Sequence, residues 1–216
     1  MPLIEPRAIP NVITLGRVML APVIFGLLFV DAFAPRLLAF ILFLAAAFSD
    51  LWDGYLARKH GWISDFGKLM DPLADKLLIV ATFIPFYVIS HSPGPASQFP
   101  YWGRLPVWVL VVIFGRELLV TIVRQLAARR GRVIPAGKEG KLKAVFQNIF
   151  CGAAIFWYAL QSAAVAGGWT GTFWELWQTW LHGPVVIISL VIALALTLYS
   201  MLIYLVSWWR PGQGLA

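Results

Sequence analysis

The stretch LLAFILFLAAAFSDLWDGYLARKHGWISDFGKLMDPLADKLLIVATFIPFYVI, residues 37–89, sets two uncharged apolar runs around a segment that holds Asp50, Asp53, Asp71 and Asp75. The runs LLAFILFLAAAF and LLIVATFIPFYVI belong to membrane spans, since about 20 predominantly apolar residues cross a bilayer. The polar segment between them is short, so the two spans read as antiparallel neighbours with their charged ends at the same membrane face. Asp50 and Asp53 are three residues apart and Asp71 and Asp75 four apart, and both spacings put a pair on one helical face. The two pairs are therefore expected to face each other and converge.

The rest of the chain has the same character. Of its 216 residues 60% are hydrophobic and only 12% charged, whereas about a quarter of an ordinary soluble domain is charged. Mean hydropathy is +0.79. Six candidate spans, 12–30, 35–58, 69–90, 105–128, 142–166 and 184–209, leave no room for a soluble domain, so residues 1–216 read as a single all-α membrane domain. The N-terminal segment MPLIEPRAIPN has no basic region ahead of an apolar core and is expected to be retained. Cys151 is the only cysteine, which excludes an intrachain disulfide and a thiolate metal site.

Lysine and arginine placement orients the spans. The 129–143 loop carries Arg129, Arg130, Arg132, Lys138, Lys141 and Lys143, and the segment after span two carries Arg58, Lys59 and Lys68. The 167–183 loop has neither Lys nor Arg, and the 91–104 loop has only Arg104. By the positive-inside rule the acidic segment and the basic loop lie on the cytoplasmic side of the cell inner membrane. The formal net charge of +7 sits in short loops beside spans, which favours anionic lipid or a phosphorylated substrate over nucleic acid. Trp169, Trp174, Trp177 and Trp180 in the 167–183 loop read as an interfacial aromatic belt.

A carboxylate within a span costs on the order of 3 kcal/mol, and four together repel one another, so a cation must compensate. Four oxygen donors without His or Cys favour Mg²⁺ or Mn²⁺ over zinc. Asp65 alone reads as a helix-start charge. Gly54, Ala57 and Gly67 are small residues that either pack helices or admit a flat ligand. Arg58 can offer a bidentate cation to a phosphate, and Pro72 is expected to mark a helix start or kink beside Asp71.

Written as Asp50-x2-Asp53-Gly54-x2-Ala57-Arg58-x8-Gly67-x3-Asp71-x3-Asp75, the segment resembles the signature of the CDP-alcohol phosphatidyltransferase family at every fixed position. The resemblance covers essentially the whole chain. It implies six transmembrane helices, a homodimer, and a polar cavity open to the cytoplasm that takes a CDP-linked lipid. Carried over by position, Asp50, Asp53, Asp71 and Asp75 would hold two Mg²⁺ or Mn²⁺ ions, and Asp75 would also be the general base. Gly54, Ala57, Arg58, Ser64 and Gly67 would contact the CDP-lipid. Asn11, Thr14 and Arg17 match the family's entry to helix one and would support the nucleotide pocket, with a helix cap as the plainer reading of Asn11.

The acceptor is read from later residues. Arg116 and Arg124 are eight apart in span four, close to one face over two turns, and with Lys141 and Lys143 they could form a pocket for a doubly charged phosphate. A structural ion pair is the competing reading of these charges. The segments GRELLVTIVR at 115–124 and GKLKAVFQ at 140–147 resemble the phosphatidylglycerophosphate synthases within the family, with Ala144 where many relatives carry Thr. That implies transfer of phosphatidyl from CDP-diacylglycerol to sn-glycerol 3-phosphate. Inositol phosphate, phosphatidylglycerol and serine are the alternative acceptors, and a phosphate pocket argues against serine. A divalent-cation transport path is the reading from another class, but the outer halves of spans two and three supply almost no polar residues to continue it.

Overall fold

The computed structural model describes residues 9–61, 65–130 and 138–209, without the side chains of 9–10, 51, 53–58, 65, 68–69, 138–139 and 207–209. Among them the regular elements are helices: α1 (Ile9–Phe29), α2 (Phe33–His60), α3 (Asp65–His91), α4 (Val107–Arg129), α5 (Lys138–Gly167), α6 (Thr172–Leu176) and α7 (Gly183–Trp209). Only helices satisfy every backbone polar group within a single segment in lipid, which is why apolar runs of this length take that form. The six long helices coincide with the six spans read from sequence to within a few residues. Five of them are long and apolar enough to cross a membrane by composition. The sixth, α4, carries Arg116, Glu117 and Arg124 in its span, and Arg116 is buried inside the bundle rather than facing lipid.

The packing order differs from the expected one. α2 and α3 are not each other's main partners; both pack chiefly against α1, which lies between them. α5 packs on α2 and α7, and α4 packs on α7. The sequence argument took adjacency in the chain for adjacency in space, whereas α1 packs against both helices. Pro72 does not mark the helix start, because α3 begins at Asp65 and runs through both Pro72 and Pro85.

Away from the acidic segment the core is aromatic. Phe83, Phe86, Phe99, Phe150 and Tyr158 are fully buried, with Phe83 and Phe150 centroids 5.3 Å apart and Phe86 edge-on to Phe150 at 5.8 Å. Phe99 reaches this cluster from the α3–α4 connection. A tight turn there pairs Phe99 with Gly103 through two backbone hydrogen bonds of 2.8 and 2.9 Å, and Gly103 takes the left-handed φ of 67° that the turn needs. Trp157 Nε1 donates to the Gln98 carbonyl at 3.0 Å and holds the loop on α5. At the same end Arg36 pairs with Asp31 at 2.9 Å and donates to Ser162 Oγ at 2.6 Å, tying the α1–α2 turn to α5.

The 167–183 segment is more ordered than a loop. After Gly167 the chain turns through Gly168 and Gly171, forms α6, and continues through one π-helical turn, Trp177–His182, into α7. His182 anchors that turn by stacking on Phe156 at 5.4 Å and pairing Nε2 with the Ala153 carbonyl at 3.0 Å. Phe173 and Trp180 stay exposed, as an interfacial belt requires.

Candidate active site

A cavity of about 310 Å³ opens in the half of the bundle that holds the starts of α1, α3 and α5 and the ends of α2, α4 and α7. All six long helices line it. α1 gives Arg17, α2 Asp50, α3 Asp75, α4 Arg116, Glu117 and Arg124, α5 Lys141, Lys143 and Gln147, and α7 Tyr204. Its floor is largely apolar, formed by Phe43, Ala47, Leu78 and Ile79.

The acidic side is organised by α1. Arg17 is 3% exposed and lies 2.7 Å from Asp50 Oδ1 with one amino group, while the other donates to Asp75 Oδ1. One turn earlier, Thr14 Oγ1 donates to Asp71 Oδ1 at 2.8 Å. Thr14 and Arg17 are three apart and Asp71 and Asp75 four apart, so one face of α1 meets one face of α3 at two successive levels. Three of the four expected carboxylates therefore gather around α1. Sequence reading assigned Thr14 and Arg17 to nucleotide support and missed that they hold the aspartates. The signal was present, since a lone arginine inside an apolar span is a functional candidate by default.

Ser64 lies outside the described residues, and so do the side chains of Asp53, Gly54, Ala57 and Arg58. Gly67 sits in the first turn of α3, on the same helix as Asp71 and Asp75. Among the described residues no three His, Cys, Asp or Glu side chains form a ready-made metal cluster. The donor chemistry nevertheless fits a hard divalent ion. Asp50 and Asp75 are 40% and 56% exposed, and their carboxylate oxygens line the cavity.

The basic side divides into two parts. Arg116 is buried, with Nη1 on Glu117 Oε1 at 3.0 Å and Nη2 on Ser200 Oγ at 2.9 Å, and Lys143 is ion-paired with the same Glu117 oxygen. The ion pair considered for Arg116 in the sequence exists, and Lys143 shares it. Arg124 instead donates to Tyr204 OH and lies 5.1 Å over that ring, and Lys141 meets no carboxylate among the described residues. Ser200 and Tyr204 went unrecognised in sequence. They stand four apart on the apolar helix α7, and that spacing of polar atoms was the available sign.

Among the described residues the lining therefore holds five cations, Arg17, Arg116, Arg124, Lys141 and Lys143, against the three carboxylates Asp50, Asp75 and Glu117. The two-charge excess, in a space partly walled by apolar groups, suits a phosphorylated ligand.

Comparison with known proteins agrees in kind. The family model described as CDP-alcohol phosphatidyltransferase matches residues 7–210. A protein of Mycobacterium tuberculosis named "Probable phosphatidylglycerophosphate synthase" is 39% identical over 145 residues, 66% of this chain and 63% of that protein. "CDP-diacylglycerol--glycerol-3-phosphate 3-phosphatidyltransferase" of Bacillus subtilis is 38% identical over 159 residues, 68% of this chain and 76% of that protein. A similarly named Arabidopsis thaliana protein is 36% identical over 149 residues, covering 65% of this chain and 61% of its own length. The match thus spans under two thirds of the mycobacterial and plant relatives. An all-helical multi-pass bundle, acidic pairs at the family's spacing and a family match from residue 7 to residue 210 lead to one conclusion: this chain belongs to the CDP-alcohol phosphatidyltransferase family.

Proposed function

We propose that this protein transfers the phosphatidyl group of CDP-diacylglycerol to sn-glycerol 3-phosphate, giving phosphatidylglycerol phosphate and CMP. The observation that carries this reading is the single cavity in which Asp50 and Asp75 face Arg116, Arg124, Lys141 and Lys143. A phosphatidyl donor needs the acidic side and a phosphorylated acceptor needs the basic one. The names of the relatives support the same pair of substrates.

In this reading the acceptor phosphate binds at Arg124 and Lys141, with Arg116 and Lys143 behind them. Its free hydroxyl is thereby held toward Asp75. Arg17 engages Oδ1 of Asp75, which leaves Oδ2 to take the hydroxyl proton. As that proton moves to Asp75, the acceptor oxygen forms a bond to the phosphatidyl phosphorus and the bond from that phosphorus to CMP breaks. Two divalent cations, Mg²⁺ or Mn²⁺, held by Asp50, Asp53, Asp71 and Asp75, would supply neutralisation of the pyrophosphate and stabilise the departing CMP. Gly54, Ala57, Arg58, Ser64 and Gly67 are assigned to the CDP-lipid on the family pattern. The cavity faces the cytoplasm of the cell inner membrane, as the loop cations favour, and two copies pair as a homodimer.

The test is CMP release by the purified protein in detergent with CDP-diacylglycerol and, separately, glycerol 3-phosphate, inositol phosphate, serine or phosphatidylglycerol. Release with glycerol 3-phosphate alone that stops in EDTA is the expected result. Release with a different acceptor would overturn the substrate assignment.

A further inference from the structure

α5 presents Lys143, Gln147 and Cys151 to the cavity on successive turns. Lys143 is satisfied by Glu117, and Cys151 lies 3.5 Å from Thr82 Oγ1. Between them Gln147 is 3% exposed, lines the cavity, and buries its Oε1 without a hydrogen-bond partner. An amide oxygen left unpaired in the interior is costly, and folded proteins retain few of them. A donor that arrives with the ligand would satisfy it.

The surroundings select the kind of donor. On α5 Lys143 lies one turn before Gln147 and Cys151 one turn after it, and the cavity they line also has the apolar walls Phe43, Leu78 and Ile79. The amide oxygen is a neutral acceptor of partial negative charge, which disfavours an anionic oxygen and suits a neutral hydroxyl. A hydroxyl both donates and accepts, and it satisfies the amide in either orientation.

We propose that Gln147 is a specificity-determining residue that binds the spare hydroxyl of the acceptor: one hydroxyl of glycerol 3-phosphate attacks, and the middle one is held by the Gln147 amide. The inference rests on the phosphatidyl-transfer reading given above. It explains a selectivity that the phosphate pocket cannot provide, because the cations do not distinguish alcohols that carry the same phosphate.

The experiment compares glycerol 3-phosphate with 3-hydroxypropyl phosphate, which keeps the attacking hydroxyl and the phosphate and lacks only the middle hydroxyl. CMP release with CDP-diacylglycerol gives kcat/KM for each in the wild type and in Gln147→Met. The wild type is expected to prefer glycerol 3-phosphate by about tenfold or more, the usual effect of leaving a buried acceptor unpaired. In Gln147→Met that preference collapses through loss on glycerol 3-phosphate, while 3-hydroxypropyl phosphate turns over nearly as before. A wild type with no preference overturns the assignment, and that measurement stands even if the variant does not fold. So does a preference that survives the substitution, or an equal fall with both acceptors, which a purely structural role would give. A wild type that releases CMP only with an unrelated alcohol overturns the functional reading together with this one, whereas an active wild type that fails the comparison overturns only the role of Gln147.

Discussion

Arg17 brings one guanidinium against Asp50 and Asp75, so two carboxylates on different helices share a cation before any substrate binds. Arg17→Met removes that charge and leaves the carboxylates to repel one another. In EDTA its thermal midpoint in detergent is expected to fall by about 4 °C or more, and added Mg²⁺ should raise it more than it raises the wild type. An equal Mg²⁺ response in both proteins would show that Arg17 does not neutralise the acidic group. Asp75 makes a sharper case. Asp75→Asn keeps the shape and a hydrogen-bonding atom but cannot take a proton, so CMP release should drop by about 10² to 10⁴ while the elution profile and midpoint stay near those of the wild type. Near-normal turnover would remove Asp75 from the role of base. That Asp50 and Asp75 line one cavity was legible at this scale, because charge inside an apolar run has few innocent explanations. Gln147 was legible only as part of a motif, since nothing in a sequence shows that an amide oxygen will be buried without a partner.

At the scale of elements, α4, α5 and α7 are joined by a small polar network: Glu117 takes Lys143 from α5 and its neighbour Arg116, and Arg116 also reaches Ser200 on α7. Removing one member of a buried charge pair strands the other, at a cost of about 3–5 kcal/mol. Glu117→Gln should therefore lower the midpoint strongly, and Glu117→Gln with Lys143→Met should recover much of the loss. If the double variant is no better than the single one, the pair is not the source of the destabilisation. Helix extents were readable from hydropathy because bilayer thickness sets their length. Their neighbours were not. Apolar faces of α1, α2 and α3 are similar enough that hydropathy does not say which helix lies between which, and only the contacts of Thr14 and Arg17 reveal that α1 separates the other two. The helical path of 172–182 was hidden for a different reason: its tryptophans suit a membrane surface whether or not the backbone is coiled.

Across the whole molecule, the two ends of the bundle differ, the one opposite the cavity holding a single ion pair among the described residues, Arg36 with Asp31. The cavity and the Lys- and Arg-rich segments share one end, and the aromatic cluster around Phe150 with the ordered 91–106 connection occupies the other. With Cys151 replaced by Ala, a single cysteine at exposed Ser92 should react with a membrane-impermeant maleimide on intact cells. One at exposed Lys59 should react only after permeabilisation. The reverse pattern would invert the bundle and place the cavity on the wrong side for a cytoplasmic nucleotide.

The place of α1 between α2 and α3 bears on how such a chain is made. α1 leaves the ribosome before α2 and α3 and carries Arg17, which costs on the order of 3 kcal/mol in a bilayer without a counter-ion, and its partners Asp50 and Asp75 are synthesised 33 and 58 residues later. The early span is thus stored in an unfavourable state that only the arrival of α2 and α3 relieves. The pairing of Arg17 with Asp50 and Asp75 is therefore also an adhesive of assembly, joining three helices made at different times.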